Sequence, residues 1–259
     1  MMSSPLILQS RDNPQFKRWL SLLETPRAAR KYGLALLEGI HLCQTYLSVS
    51  GQPTRLIVSE ASTEQPEVAA LIASVTSPIV ILSSALAKTL SQVESGVGVW
   101  FEIGLPNLPL PAQIVTDCVI LDNLQDPGNV GTILRSAAAA GIQQVFALEG
   151  TASLWSAKVL RSGMGAHAYC QLWETSWAEL QTRVQVPLYA TSSHATQTIY
   201  QRDLTAPSAW VFGHEGQGVR AEILQMAQPV SIPQPGGMES LNVGAAATVC
   251  LFEQVRQRN

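Results

Sequence analysis

The stretch Cys118-Val-Ile-Leu-Asp-Asn-Leu-Gln-Asp-Pro-Gly-Asn-Val-Gly-Thr-Ile-Leu-Arg135 changes its hydrophobic period halfway along. Cys118–Leu121 is a continuous apolar run, as expected of a strand buried on both faces. A polar loop follows, in which Asp126-Pro127-Gly128 is turn chemistry. Asn129 suits the N-terminus of a helix that runs to about Ala140. Arg135, six residues further and nearly two turns along, is expected to return to about the face of Asn129. A buried strand feeding a helix through a polar loop is the first half of a β–α–β unit, and it sets the expectation for the whole chain.

Working outward, the same alternation recurs. On the C-terminal side, Gln144–Leu148, Pro187–Ala190, Ala209–Phe212 and Val230–Ile232 read as strands. Ser156–Arg161 begins a helix and Gly244–Gln257 forms a closing one. This predicts an α/β fold with a mostly parallel sheet covered on both faces. On the N-terminal side, Asn13-Pro14 opens a helix whose Phe16, Trp19, Leu20 and Leu23 share a face. Leu34–Leu37, Leu56–Ser59, Ile79–Leu82 and Val97–Ile103 are predicted strands, with a helix at Ile40–Leu47. That is a second, smaller α/β sandwich. Gly104-Leu-Pro-Asn-Leu-Pro-Leu-Pro111 holds three prolines, which favour extended chain. The expected division is therefore residues 1–104, a linker at 105–113, and 114–259.

Composition narrows the function classes. The 259 residues are 46% hydrophobic and 14% charged, which excludes a chain held open by charge. No apolar run reaches the roughly 18 residues that suggest a membrane span. The opening Met1-Met2-Ser3-Ser4-Pro5-Leu6 lacks the regions of a signal peptide, so a cytoplasmic protein is expected. Cys43, Cys118, Cys170 and Cys250 are scattered and read as small buried thiols. His41, His167, His194 and His214 show no helical metal-ligand spacing, and no metal is expected. The net charge of −3 is uneven. Residues 1–55 carry seven basic side chains (Arg11, Lys17, Arg18, Arg27, Arg30, Lys31, Arg55) against three acidic ones, about +4, which leaves about −7 elsewhere. A basic N-terminal face suits phosphate contacts; an ordinary solvated helix surface accounts for the same count.

Ligands of open α/β sheets bind beyond the carboxyl ends of strands. Three loops in this chain have that position. The first is Asp122–Arg135. The second, Gly213-His-Glu-Gly-Gln-Gly218, follows the strand Ala209–Phe212. Its three glycines let backbone approach a ligand closely, and Glu215 is its only carboxylate. It matches neither a P-loop nor a dinucleotide fingerprint, and a tight turn without a ligand is the plain alternative. The third, Ile232-Pro-Gln-Pro-Gly-Gly-Met-Glu-Ser-Leu-Asn-Val243, places Ser240 and Asn242 at the start of a helix of small residues, fit for a tight crossing or a subunit contact.

Taken together, Asn129-Val-Gly-Thr-Ile-Leu-Arg135, Gly213-His-Glu-Gly-Gln-Gly218 and Ile232-Pro…Glu239-Ser-Leu-Asn-Val243 resemble the three signature motifs of the SpoU (TrmH) RNA methyltransferases, in order. Lys158-Val-Leu-Arg-Ser-Gly-Met-Gly-Ala-His167 is similar to the family's stretch between the first two. Asn13-Pro14, Arg30-Lys31, Gly33, Leu37-Glu38-Gly39 and Ser95-Gly96-Val97 resemble the substrate-binding domain often fused to these enzymes. The resemblance covers nearly the whole chain. It departs at Gln234, where Met is common, and at Gly244, where Ser is common.

The resemblance implies a ribosomal-protein-like RNA-binding domain followed by a SPOUT catalytic domain with a deep trefoil knot. It also implies a homodimer through the C-terminal domain and transfer of a methyl group from S-adenosylmethionine to a ribose 2′-hydroxyl. The cofactor would lie against Gly213, Gly218, Ile232 and Leu241. Asn129, Arg135, Glu215, Ser240 and Asn242 match the family's functional positions. A free arginine stays protonated far above neutral pH and is a poor general base. Arg135 is therefore read as orienting and charge-stabilising, and Glu215 as a second candidate base or a loop holder. Ribosomal RNA is the favoured substrate. Transfer to tRNA, or a non-catalytic RNA-binding protein that keeps the fold, are the alternatives.

Overall fold

A computed structural model of the chain describes residues 6–94, 96–192, 195–238 and 240–259. Ser95, His194 and Glu239 of the sequence reading, and the opening Met1–Pro5, lie outside the described residues. The chain divides into two compact units. One takes the chain up to Asn107 together with Trp155–Ala168, and the other comprises Leu108–Leu154 and Tyr169–Asn259.

In the first unit, β1 (Leu6–Leu8), α1 (Pro14–Glu24), α2 (Ala28–Tyr32), β2 (Leu34–Glu38), α3 (Ile40–Val49), β3 (Arg55–Ser59), α4 (Pro66–Ser74), β4 (Ile79–Leu82), α5 (Ser84–Leu90) and β5 (Val99–Gly104) follow in order. The strands make a mixed sheet, β1-β4-β3-β5-β2, in which β5 runs antiparallel to both neighbours. Strand side chains alternate between its faces. Leu36, Ile57, Val80 and Trp100 join Phe16 and Trp19 in one core. Leu37, Leu56, Val58 and Phe101 join Leu42, Cys43 and Val68 in the other.

The expected basic face is partly consumed inside this unit. Glu102 of β5 is 1% exposed and accepts hydrogen bonds from Arg18, Arg55 and the Trp19 indole. Buried carboxylates need such partners, so Arg18 and Arg55 are structural. Lys17 pairs with Asp12 at 2.8 Å, and Arg11 donates to Thr89. Arg27, Arg30 and Lys31, around α2, remain exposed and form no ion pair with a described residue.

The second unit is built from β6 (Cys118–Asp122), α6 (Pro127–Ala139), β7 (Gln144–Ala147), then, after α7 (Ala157–Ser162) of the first unit, β8 (Gln171–Glu174), α8 (Trp177–Leu180), β9 (Leu188–Thr191), β10 (Ala209–Gly213), α9 (Ala221–Leu224), β11 (Gln228–Val230) and α10 (Val243–Arg258). All six strands are parallel, in the order β11-β9-β10-β6-β7-β8. The central pair, β6 and β10, is buried along its full length, as parallel strands covered on both faces must be.

Strand β1 was not expected and β5 starts two residues late, and four further departures from the sequence reading concern the chain after the linker. The expected helix at Ser156–Arg161 belongs to the first unit, because Leu160 is buried with Leu37 and Phe101 and Trp155 packs on the same core. Arg161 also donates to Gln92 at 3.1 Å. Strand β8 was not anticipated. β11 spans Gln228–Val230 instead of Val230–Ile232; Pro229 is tolerated because the strand is at the sheet edge, and Ile232 lies in the following loop. Finally, the α6 helix starts at Pro127, with Asp126 as its cap accepting from the Gly128 amide at 3.0 Å. Asn129 is thus inside the first turn and not at its edge.

Candidate active site

The register of the central strands sets the site. Gly213 pairs with Asp122, so the loops after β10 and β6 leave the sheet side by side at one level. The strand order reverses between these two strands, which is where open α/β sheets place their binding crevice.

The second loop is a tight hairpin. A Cβ on Gly213 would run into the backbone of Gly218 and Val219, so only glycine lets the chain double back there. The Gly218 amide donates to the His214 carbonyl at 2.8 Å, and Gly218 has φ +73°. The loop is tied to β6 by Asp122, a carboxylate only 1% exposed. It accepts from the Arg220 amide at 2.8 Å and from Arg220 Nε at 2.6 Å. Reading the sequence assigned no role to Asp122, His214 or Arg220. Their one signal is position: an acid ending an apolar strand, and two residues in or beside the glycine loop.

With Asp126 capping α6, the Asn129 side chain is free to reach across. Its Nδ2 donates to Glu215 Oε1 at 2.9 Å, and its Oδ1 accepts from Asn242 Nδ2, also at 2.9 Å. Asn242 is itself the cap of α10, its Oδ1 accepting from the Gly244 and Ala245 amides. One hydrogen-bonded chain, Glu215–Asn129–Asn242, therefore joins all three loops. Burial raises the pKa of the Glu215 carboxyl, but hydrogen bonds from the Asn129 side chain and from the amides of Glu215, Asp126 and Gln125 outweigh it. The net effect holds the carboxyl below its ordinary value. Glu215 is thus ionised and a weak base, which favours its reading as a loop holder.

Arg135 and Ser240 are not part of that chain. Both are exposed, and neither forms a hydrogen bond with a described residue. The expectation that Arg135 returns to the face of Asn129 is corrected by helix geometry. Six residues rotate the helix by about 600°, leaving the two side chains about 120° apart. Arg135 presents a charged donor set beside the chain instead of joining it.

The third loop is open. Gly236 and Gly237 have nothing within 4 Å of where a Cβ would sit, and Gly237 has φ +75°. Leu241 is 42% exposed and Met238 72%. Gln234 Oε1 is buried without a hydrogen-bond partner among the described residues, a condition that folded proteins seldom leave unmet. Bare backbone, uncovered apolar side chains and one waiting acceptor fit a ligand with an apolar body and hydrogen-bond donors, such as an adenosyl group. Behind the loop, Gly244 lies against Thr132 of α6, where a Cβ would approach Thr132 Cγ2 to 3.0 Å. Ser136 and Thr248 share a 2.7 Å hydrogen bond across the same crossing. The small residues of α10 thus serve a close crossing with α6.

The model of the SpoU rRNA Methylase family matches residues 117–252. An uncharacterized tRNA/rRNA methyltransferase of Synechocystis sp. is 33% identical, over 97% of this chain and 94% of its own length. A 23S rRNA (guanosine-2′-O-)-methyltransferase of Bordetella pertussis is 41% identical over 146 residues, 54% of this chain and 59% of that protein. Among solved structures, an RNA 2′-O ribose methyltransferase superposes with a TM-score of 0.81 and 29% identity, covering 98% of this chain and 99% of its own.

Proposed function

Because the chain belongs to the SpoU rRNA methylase family, we propose that it transfers a methyl group from S-adenosylmethionine to a ribose 2′-hydroxyl of ribosomal RNA. The observation that carries this reading is the Glu215–Asn129–Asn242 chain, which ties three loops together where adjacent parallel strands end.

The cofactor supplies an electrophilic methyl group, so the protein's task is positioning. Backbone at Gly213, Gly218 and Ile232, the Leu241 side chain and Gln234 Oε1 would hold it. Asn129 and Asn242 hold the three loops together, and Ser240, with no hydrogen bond to a described residue, offers its hydroxyl to the ribose. Arg135, a guanidinium with no hydrogen bond to a described residue, orients the 2′-oxygen and stabilises the charge that grows on it. Glu215 keeps the second loop in place.

Substrate recognition falls to both units. The first is read as the ribosomal-protein-like RNA-binding domain, with Arg27, Arg30 and Lys31 of the α2 region meeting phosphates; Lys31 Nζ lies 5.1 Å from the ring centroid of Tyr32, which supports it there. The family resemblance also carries a deep trefoil knot in the second unit and a homodimer through it, for which Phe252 of α10, 44% exposed, is a fitting contact. Four free thiols suit work in the cytoplasm.

The test is methyl transfer from labelled S-adenosylmethionine to unmodified ribosomal RNA and tRNA, followed by nucleoside analysis. A 2′-O-methylated nucleoside from ribosomal RNA alone is expected. Label confined to tRNA would reassign the substrate, and no cofactor binding at all would return the chain to a non-catalytic RNA-binding role.

A further inference from the structure

We infer that His214 is a positioning residue of the cofactor loop, its imidazole serving as an internal cap that sets the loop's shape. The inference rests on the methyltransferase reading of the site, but its geometry stands apart from it. Gly213 and Gly218 close the hairpin, and the Gly218 amide is satisfied by the His214 carbonyl. That leaves the amides of Gly216 and Gln217 inside a turn too tight to offer them a carbonyl. His214 Nδ1 takes both, at 2.9 and 3.2 Å. Nδ1 is thus the acceptor for both amides, a lone pair that the turn's own carbonyls do not supply.

Two consequences follow for the site. The Gly216 and Gln217 amides are occupied by the protein and are not free to bind a ligand. Glu215 lies between the histidine that supplies the cap and the amides that are capped, so the direction of its carboxylate toward Asn129 is set by His214. Removing the acceptor frees the hairpin to reshape, and the three-loop chain loses its Glu215 end.

The side-chain chemistry supplies a discriminating pair of variants. Asn Oδ1 sits the same number of bonds from the backbone as His Nδ1 and accepts from the amide two residues on, as in an Asx turn. Leucine fills similar space with no lone pair. Amide hydrogen exchange at Gly216 and Gln217 should accelerate at least tenfold in the cofactor-free His214→Leu protein and stay near wild type in His214→Asn. The Kd for S-adenosylmethionine, by calorimetry, should rise about tenfold in the first, the scale of one to two lost hydrogen bonds, and less than threefold in the second. Unchanged exchange in His214→Leu would overturn the cap. Equal Kd values in the two variants would overturn its role in cofactor binding. A wild-type protein that binds no S-adenosylmethionine would instead sink the methyltransferase reading, while the exchange comparison still decides the cap.

Discussion

Replacing Arg220 by methionine should destabilise the protein by about 3 kcal/mol, and the reason lies in an asymmetry of burial. Asp122 is 1% exposed, whereas its partner's side chain is 31% exposed. Breaking a buried ion pair by deleting one member costs about 3–5 kcal/mol, because the other charge is left uncompensated. Here water already reaches the guanidinium, and the Arg220 amide would keep its 2.8 Å bond to Asp122, so the lower end applies. At about 2–4 °C per kcal/mol for a chain approaching this size, the midpoint should fall by about 6–12 °C. The reverse change, Asp122→Asn, strands no charge but turns one of the two acceptors into a donor facing Arg220, and should cost about 1–2 kcal/mol, the scale of one buried donor left unmet. In the double variant the methionine should add little, since the buried charge it would strand is gone. Calorimetry of the full chain, checked by circular dichroism, measures all three. If Asp122→Asn proved as costly as Arg220→Met, or the two costs simply added, the stranded-carboxylate argument would be wrong.

Other outcomes follow from the same structure. Arg135→Ala should abolish methyl transfer while leaving the Kd for S-adenosylmethionine within about threefold, the scale of a sub-kcal/mol effect; a matching loss of affinity would overturn that division of roles. Gly213→Ala drives a Cβ into the backbone of Gly218 and Val219, so cofactor binding should weaken by more than tenfold, with the variant's melting curve showing whether the end of the central strand β10 survives. Glu253 accepts from Arg256 and Gln257, the Arg256 hydrogen bond being the larger effect, and its carboxyl is held at about 2 against an ordinary 4.5. Its contribution to stability is therefore complete above about pH 4.5 and disappears as the pH falls toward 2. The wild-type melting temperature should drop more steeply across that window than that of Glu253→Gln; parallel curves would remove Glu253 as a cause.

What was legible in the sequence was local. β6 and β10 are five-residue buried strands with no polar residue before their last position, and α10 announces itself by a capping asparagine before a run of small residues. Strand β8, Gln171–Glu174, has only two apolar residues between polar ends, too short a pattern to separate from a loop. The placement of Trp155–Ala168 was not legible either. A helix sandwiched in sequence between β7 and β8 looks like their crossover, and only the apolar contacts of Trp155 and Leu160 assign it elsewhere.

The site shows the same division more sharply. The motif residues could be found, but their roles depend on pairings far apart in the chain: Asn129 with Glu215 across 86 residues, Asn242 with Asn129 across 113, Arg220 with Asp122 across 98. A competition at the start of α6 decides which of these can form. Asp126 and Asn129 are both good caps, but Pro127 has no amide to offer and a backbone angle suited to the first helical position. The helix therefore starts at Pro127 and Asp126 takes the cap. Asn129 then keeps both ends of its amide for other loops, donating to Glu215 and accepting from Asn242. Asn242 manages cap and link at once because its oxygen serves α10 while its nitrogen is left over. The one proline that looked like turn chemistry is what releases Asn129 to hold the site together.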